Sequence, residues 1–222
     1  MDHLTLIIPA KNEKESLPNV LDELKKYNLN IIVILEKQDL DTINAIKEYD
    51  CKILYQINKG YGDALLQGIR SVKTNFFCIF NADGSFDPVE LRNMYDHAMK
   101  GNADFVFGSR YMDGALSEDD TIITFIGNKI FTFIGKIFFS LPISDILYTF
   151  VLGNTQKANK LQLEEKNFSF CIELPILAKK SNHKLISVPS HERARIAGKK
   201  KVNAFKDGFL ILISMIKIYF KN

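Results

Sequence analysis

CKILYQINKGYGDALLQGIRSVKTNFFCIFNAD, residues 51–83, decides the fold. An apolar run (51–57) leads into a glycine-bearing turn, a stretch with helical spacing to residue 72, and a second apolar run (75–83) ending in Asn81, Ala82 and Asp83. Short apolar runs bounded by turn residues read as buried strands, and a helical segment between two of them reads as a crossover between parallel strands. The pattern extends both ways. Upstream, LTLIIPA (4–10) and NIIVILE (30–36) are strand patterns, and Leu17, Val20, Leu21 and Leu24 stand at helical spacing within 14–27. Residues 40–49 give a short helix. Downstream, 88–100 is helical with Pro88 in its first turn, and ADFVFGSRY (103–111) is a fifth strand. The expectation is an α/β chain with a mainly parallel central sheet and helices on both faces. In such sheets the ligand crevice lies past the C-terminal ends of the strands. The polar clusters at 11–15, 36–41, 81–87 and 108–111 all fall there.

After residue 111 the pattern changes. TIITFIGNKIFTFIGKIFFSLPI (121–143) is apolar but carries Lys129 and Lys136, which argue against a membrane span and for an interfacial helix. YTFVLGN (148–154) is an apolar stretch, FSFCIELPILAKK (168–180) is helical and KLISVPSHE (184–192) is a late strand. GFLILISMIKIYF (208–220) is too short to span and reads as an amphipathic terminal helix. The expected organisation is a catalytic domain over 1–203, including 121–143, with a helix over 204–222. Phe, Ile and Leu in these two segments, with lysines at 129, 136, 217 and 221, point to a peripheral membrane surface.

A length of 222 residues suits one α/β domain, and 46% hydrophobic with 25% charged residues is ordinary globular composition. A net charge of only +3 excludes a general nucleic-acid binder. The N-terminus enters a strand pattern at once, so no signal peptide is expected and the location is the cytoplasm, at the inner face of the membrane. Cys51, Cys78 and Cys171 have no CxxC spacing and read as small core residues of a reducing compartment.

Three stretches carry chemistry. FNADGSFDP (80–88), at a strand end, offers Asp83 and Asn81 as oxygen ligands for Mg²⁺ or Mn²⁺, with Asp87 behind them; the same residues also make an ordinary turn. Gly60 and Gly62, ahead of a helix and next to Lys59, allow close approach of a phosphate or sugar, or simply a tight connection. HERARIAGKKK (191–201) holds five Lys/Arg against one Glu and reads as a mobile basic flap that clamps phosphates, or as a solvated loop.

IIPAKNEKESLP (7–18) resembles the opening of the inverting family-two glycosyltransferases, and N-x-G-x-G-x-A at 58–64 resembles their second signature. Asn81-Ala82-Asp83 sits where that family carries an Asp-x-Asp metal motif. ADFVFGSRY and SHERARIAGKKKVNAFKDGF resemble the polyprenyl-phosphate branch, the dolichol-phosphate mannose synthase type. The five blocks occur in the family's order. Departures are Lys11 for an aromatic, Glu36 for an Asp, Asn81 for the first metal-motif Asp, and YTFVLG after Asp145. The resemblance implies a GT-A fold and transfer of a sugar, with inversion, from a nucleotide-diphospho-sugar. It places the donor on Pro9, Lys11, Asn12, Glu13, Glu36, Lys59, Gly60, Asn81, Ala82 and Asp83. It places the acceptor, a polyprenyl phosphate or another glycan acceptor of the cell envelope, on Ser109, Arg110, Arg193, Arg195, Lys199 and Lys201. The divalent cation falls to Asp83 and Asn81, and the catalytic carboxylates are Asp83 and Asp145, with Glu173 the second choice of base. The alternative is a nucleotide-sugar-binding relative with little or no turnover. A dinucleotide oxidoreductase is disfavoured, because PAKNE rather than G-x-G-x-x-G follows the first strand.

Overall fold

The computed structural model describes residues 1–198 and 203–221. Strands β1 (Leu4–Pro9), β2 (Asn30–Leu35), β3 (Lys52–Tyr55), β4 (Phe76–Ile79), β5 (Phe105–Ser109), β7 (Val151–Asn154) and β8 (Leu185–Pro189) form one sheet in the order β3-β2-β1-β4-β7-β5-β8. Every neighbouring pair is parallel except β4·β7 and β7·β5. A two-residue strand β6 (Leu116–Ser117) pairs with β9 (His191–Glu192) beside it.

The strands are apolar on both faces, and the two-residue period sorts their side chains. Ile7, Ile32, Ile34, Phe77, Ile79, Phe105 and Phe107 enter one core with α3 (Tyr61–Ser71) and α7 (Phe170–Lys180). Leu6, Ile8, Val33, Leu35, Cys78, Phe80 and Val106 enter the other with α1 (Leu17–Leu24), α2 (Leu40–Ile46) and α4 (Glu90–Met99). This is the doubly covered sheet expected of continuous apolar strands. The antiparallel β7 comes from the stretch 148–154, too short to show a period. Gly153 lets it lie between two aromatic strands: a Cβ there would stand 2.7 Å from the rings of Phe77 and Phe105. A short α6 (Thr155–Lys160) follows it.

Helix α5 (Ile122–Phe139) departs from the usual rule that the apolar stripe faces inward. Its buried residues are Asn128, Thr132 and Gly135. Asn128 Nδ2 donates to Tyr111 Oη at 2.8 Å, and Thr132 Oγ1 accepts from Ile146 N at 3.2 Å. Ile122, Ile123, Phe125, Ile126, Ile130, Phe133, Ile137 and Phe138 are exposed. By length and composition α5 could cross a membrane, yet its polar face is seated along the domain. Helix α8 (Ala204–Phe220) does bury an apolar stripe, Ile211, Met215 and Ile218, in the core shared with α3 and α7, but it also turns Phe205, Phe209, Ile216, Tyr219 and Phe220 outward. Lys180 Nζ, from α7, donates to the carbonyls of Ile218 (3.2 Å) and Lys221 (2.8 Å), and Ser214 Oγ donates to Glu165 (2.7 Å).

Candidate active site

The C-terminal ends of β1, β2, β4 and β5 open into a cleft of about 630 Å³ whose far wall is α5 and α8. Pro9, Lys11, Glu13, Glu36, Gly60, Asn81, Ala82, Asp83, Arg110 and Arg195 line it. The four polar clusters therefore meet where strand alternation placed them. Ile123, Ile126, Ile130 and Phe131 of α5 and Phe205 and Ile211 of α8 make the opposite side apolar.

Asp83 sits on a turn braced from within and from outside. Asp83 Oδ1 accepts from Ser85 N (3.1 Å) and Ser85 Oγ (2.7 Å), and Asn81 Nδ2 donates to the same Ser85 Oγ (3.2 Å). Gly84 has φ +84°, a left-handed backbone that favours glycine, and a Cβ there would meet Ile196 Cδ1 at 2.5 Å. Segment 193–196 docks on this turn: Arg193 N donates to Ser85 O (2.9 Å) and Ile196 N to Asp83 O (2.8 Å). The described part of the basic stretch, 191–198, is held by β9 and by the turn; the rest of the flap expected over 191–201 lies outside the described residues. Arg193, expected to bind phosphate, is placed away from the cleft. Its guanidinium donates to Gly84 O (3.2 Å), Phe86 O (2.8 Å) and Glu23 Oε2 (2.9 Å) and does not line the cleft. Lys199 and Lys201 lie outside the described residues.

Arg195 does reach the cleft. Its guanidinium bridges Asp119 (Nη2–Oδ2 2.8 Å) and Asp83 (Nη1–Oδ2 3.5 Å). The hydrogen bond that Arg195 donates to Asp119, reinforced by the charges of Asp83 and Asp119, holds its pKa above the ordinary value against the opposing pull of burial. A positive charge therefore already stands beside Asp83. Asn81 uses its amide nitrogen on Ser85, which leaves the amide oxygen as the ligand atom. A carboxylate and an amide oxygen are the hard donors that Mg²⁺ or Mn²⁺ takes when substrate phosphates complete the shell. Among the described residues no three His, Cys, Asp or Glu could hold a metal together.

Arg110 has a different surrounding. It is nearly buried and makes two bonds to Asp145 (Nε–Oδ2 2.7 Å, Nη2–Oδ1 3.1 Å) and one to Glu192 (Nη1–Oε2 3.2 Å). Its guanidinium lies 4.7 Å from the centre of the Tyr148 ring. Burial pulls its pKa down, but the Asp145 charge and hydrogen bonds and the Glu192 charge outweigh it and hold the value well above the ordinary one. Two carboxylates neutralise Arg110, so it organises the cleft edge rather than offering a free cation. Asp145 has no exposed surface and does not line the cleft. Expected as a catalytic carboxylate, it has both oxygens bonded to Arg110. Glu173, the second choice, is buried and accepts the backbone N–H groups of Glu164 (2.9 Å) and Glu165 (3.0 Å). Ser109 is fully buried against Ser144 and does not line the cleft either.

At the β1–β2 end, Lys11 Nζ pairs with Glu36 Oε1 at 2.6 Å, and Gln38 donates to Glu36 Oε2 at 2.7 Å. Asn12 takes a left-handed φ of 53°, and its N–H donates to Asp39 at 2.7 Å; it borders a neighbouring depression instead of the main cleft. Lys59 is exposed and lines no part of the cleft. The glycines of the second signature admit the chain's own backbone, since a Cβ on Gly60 or Gly62 would meet Lys166 O at 2.1 Å or Glu165 O at 2.3 Å. Close approach is thus real, but the approaching group is segment 165–167. Cys171 lines the cleft, and burial pushes its thiol up to about 12, so it is no thiolate nucleophile at neutral pH.

Sequence reasoning missed Asp119, Asp120 and Tyr148. The signal for the first two was an acidic run, SEDD at 117–120, set directly before an apolar helix. Asp120 accepts from Tyr111 Oη (2.7 Å) and from Thr124.

Comparison with known proteins bears on the family and the fold. The chain is 24% identical to a UDP-N-acetylglucosamine–dolichyl-phosphate N-acetylglucosaminyltransferase of Methanococcus voltae, covering 83% of each chain. It is 24% identical to a dolichol-phosphate mannosyltransferase of Pyrococcus furiosus, covering 90% of this chain and 59% of that one. The fold matches glucosyl-3-phosphoglycerate synthase from Mycobacterium tuberculosis, solved with Mn²⁺, uridine diphosphate and phosphoglyceric acid. The TM-score is 0.80 at 13% identity, over 99% of this chain and 79% of that one. This is the GT-A fold. The model of glycosyl transferase family 2 matches residues 5–161, and with the strand-end cleft and the Asn81–Asp83 turn in place, the chain belongs to that family.

Proposed function

We propose that this chain moves a sugar, with inversion, from a nucleotide-diphospho-sugar to a polyprenyl phosphate held at a membrane surface. The observation that carries this reading is the cleft itself: one side is the polar sheet edge around Asp83, and the other is an apolar wall whose helices also turn apolar residues outward. Exposed apolar area of this extent marks a surface that something covers, and Lys129, Lys136 and Lys217 on the same helices suit anionic headgroups. The catalytic unit in this reading is 1–203, and the helix over 204–222 helps attach it, peripherally, to the cytoplasmic face. The relatives named for dolichyl phosphate support the acceptor class.

A divalent cation, when bound at Asp83 and Asn81, would neutralise the leaving diphosphate. Lys11 and Glu36 flank the nucleoside end of the donor, and Arg195 faces the diphosphate. Arg110 keeps the acceptor side of the edge rigid through Asp145 and Glu192. A phosphomonoester is largely ionised at neutral pH and attacks without a base, which agrees with Asp145 and Glu173 both being engaged inside the protein. The test is transfer from a panel of nucleotide sugars to a short polyprenyl phosphate, beside co-sedimentation with anionic vesicles. Transfer to phosphoglycerate but not to the lipid, with the protein left in the supernatant at low salt, overturns the acceptor. Asn81 and Glu36 also motivate a second reading, a binding protein with little turnover, which donor hydrolysis by the purified chain would exclude.

A further inference from the structure

Two loops are pinned so that Arg195 stands between two carboxylates. On one side, Arg193 and Ile196 bond to the backbone of the Asp83 turn, and Ile196 covers Gly84. On the other, the loop carrying Asp119 is fixed before and after it. Glu118 accepts from His191 (2.7 Å) and Ala194 N (3.2 Å), and Asp120 accepts from Tyr111 (2.7 Å). The guanidinium meets Asp119 with two nitrogens, Nη2–Oδ2 at 2.8 Å and Nε–Oδ1 at 3.4 Å, but meets Asp83 with one, at 3.5 Å. The contact with Asp119 is the fork-shaped, closer one; the contact with Asp83 is the looser one, and Asp83 is where the cation reading above, on which this inference rests, puts the metal.

We propose that Arg195 is an internal counter-cation that competes with the metal for Asp83, and that Asp119 is the positioning residue on which it pivots. Without donor, Arg195 shields Asp83. When a nucleoside diphosphate brings its cation, Arg195 yields Asp83, stays on Asp119 and turns its freed N–H groups to the diphosphate. A cation alone is thereby disfavoured and a cation with its diphosphate is favoured, which ties metal uptake to the donor.

The test is Mn²⁺ binding, read from the electron spin resonance of free Mn²⁺, for parent, Arg195→Gln, Arg195→Lys, Asp119→Asn and Asp83→Asn proteins. It is run without nucleotide and with uridine or guanosine diphosphate. Removing the neighbouring positive charge in Arg195→Gln should tighten nucleotide-free Mn²⁺ binding about tenfold while weakening diphosphate binding. Arg195→Lys, which keeps the charge without the fork, should lie between. Asp119→Asn should leave nucleotide-free Mn²⁺ binding equal to the parent's or weaker, yet still weaken diphosphate binding. Equal or weaker Mn²⁺ binding in both Arg195 variants, at Asp83-dependent sites, overturns the counter-cation and leaves the metal reading standing. Tightening in Asp119→Asn overturns the pivot. Mn²⁺ binding that ignores Asp83→Asn overturns the metal reading and this inference with it. Arg195 and Asp119 are both partly exposed, and circular dichroism checks that each variant folds.

Discussion

The two sides of the cleft are built on opposite rules. On the sheet edge, charged side chains are held by polar neighbours: Asp83 by Ser85, Lys11 by Glu36, Arg110 by Asp145 and Glu192. On the helical side, α5 turns Asn128 and Thr132 to the protein and its isoleucines and phenylalanines away from it. The first arrangement fixes charges before a ligand arrives, which is what stabilises charge developing in a transition state. The second leaves apolar area for a partner to cover and satisfies its few polar atoms against the domain. The contrast separates residues whose loss should change chemistry or folding from residues whose loss should change only where the protein sits.

The largest effect tests whether Asp145 belongs to the structure or to the chemistry. Asp145→Ala leaves Arg110 nearly buried with one of its two carboxylates gone. Breaking a buried pair in this way costs about 3–5 kcal/mol. Urea unfolding should show that loss. A fully stable Asp145→Ala protein with no transfer would return Asp145 to the role of base. Asp83→Ala comes next. Its carboxylate faces the cleft, so the fold should survive while transfer falls about 10²–10³-fold, as when one preorganised electrostatic contact is removed. The comparison is made with saturating Mn²⁺ and with excess chelator, and a mutant that keeps the parent's rate in saturating Mn²⁺, or a deficit of the same size in chelator, would remove Asp83 from metal binding.

How much of this was legible in the sequence follows from the same contrast. Strands announced by continuous apolar runs placed the 11–15, 36–41, 81–87 and 108–111 clusters around one crevice, because a parallel sheet fixes where strand ends point. What a polar residue does at a strand end was not legible. Asp145 and Arg193 stand in motif positions, yet their partners, Arg110 and Glu23, lie 35 and 170 residues away in sequence. Gly60 and Gly62 signalled close approach without saying that segment 165–167 was the group approaching. β7 was hidden because four residues carry too little period, and because an antiparallel insertion breaks the βαβ rhythm. The unusual composition of α5 was visible, but its orientation depended on Tyr111 and Ile146 offering partners to Asn128 and Thr132.

A smaller effect sharpens the helical side. Phe133 and Phe209 are exposed on α5 and α8 and lie outside the buried core. Replacing both with Ser should leave unfolding unchanged and weaken binding to anionic vesicles about tenfold, roughly 1.4 kcal/mol, since interfacial binding scales with apolar area inserted. Added salt should weaken parent and variant alike by screening their shared lysines. Unchanged vesicle binding would remove these two residues from membrane attachment, and lost stability would assign them to the protein's own packing.

The smallest effect lies back on the sheet edge. Asn81 offers a cation an amide oxygen where a carboxylate would bind a hard ion more strongly. Asn81→Asp adds that carboxylate beside Asp83, but two like charges in one site repel and push up the pKa of one of them, which offsets part of the gain. It also removes the amide donor to Ser85 Oγ, so the serine hydroxyl that now donates to Asp83 Oδ1 gains a second acceptor competing for it. Arg195, already beside Asp83, limits the repulsion. The net expectation is a modest gain, about threefold to tenfold in Mn²⁺ affinity, or roughly 0.7–1.4 kcal/mol. It should be larger at pH 8 than at pH 6, because the added carboxyl must be ionised to bind. Titrating Mn²⁺ against both proteins, with the same nucleoside diphosphate, reads it directly. Vesicle binding should not change, since no atom of α5 or α8 is touched. If Mn²⁺ affinity is unchanged at both pH values, position 81 does not face the cation, and Asp83 must hold it with the donor's phosphates alone.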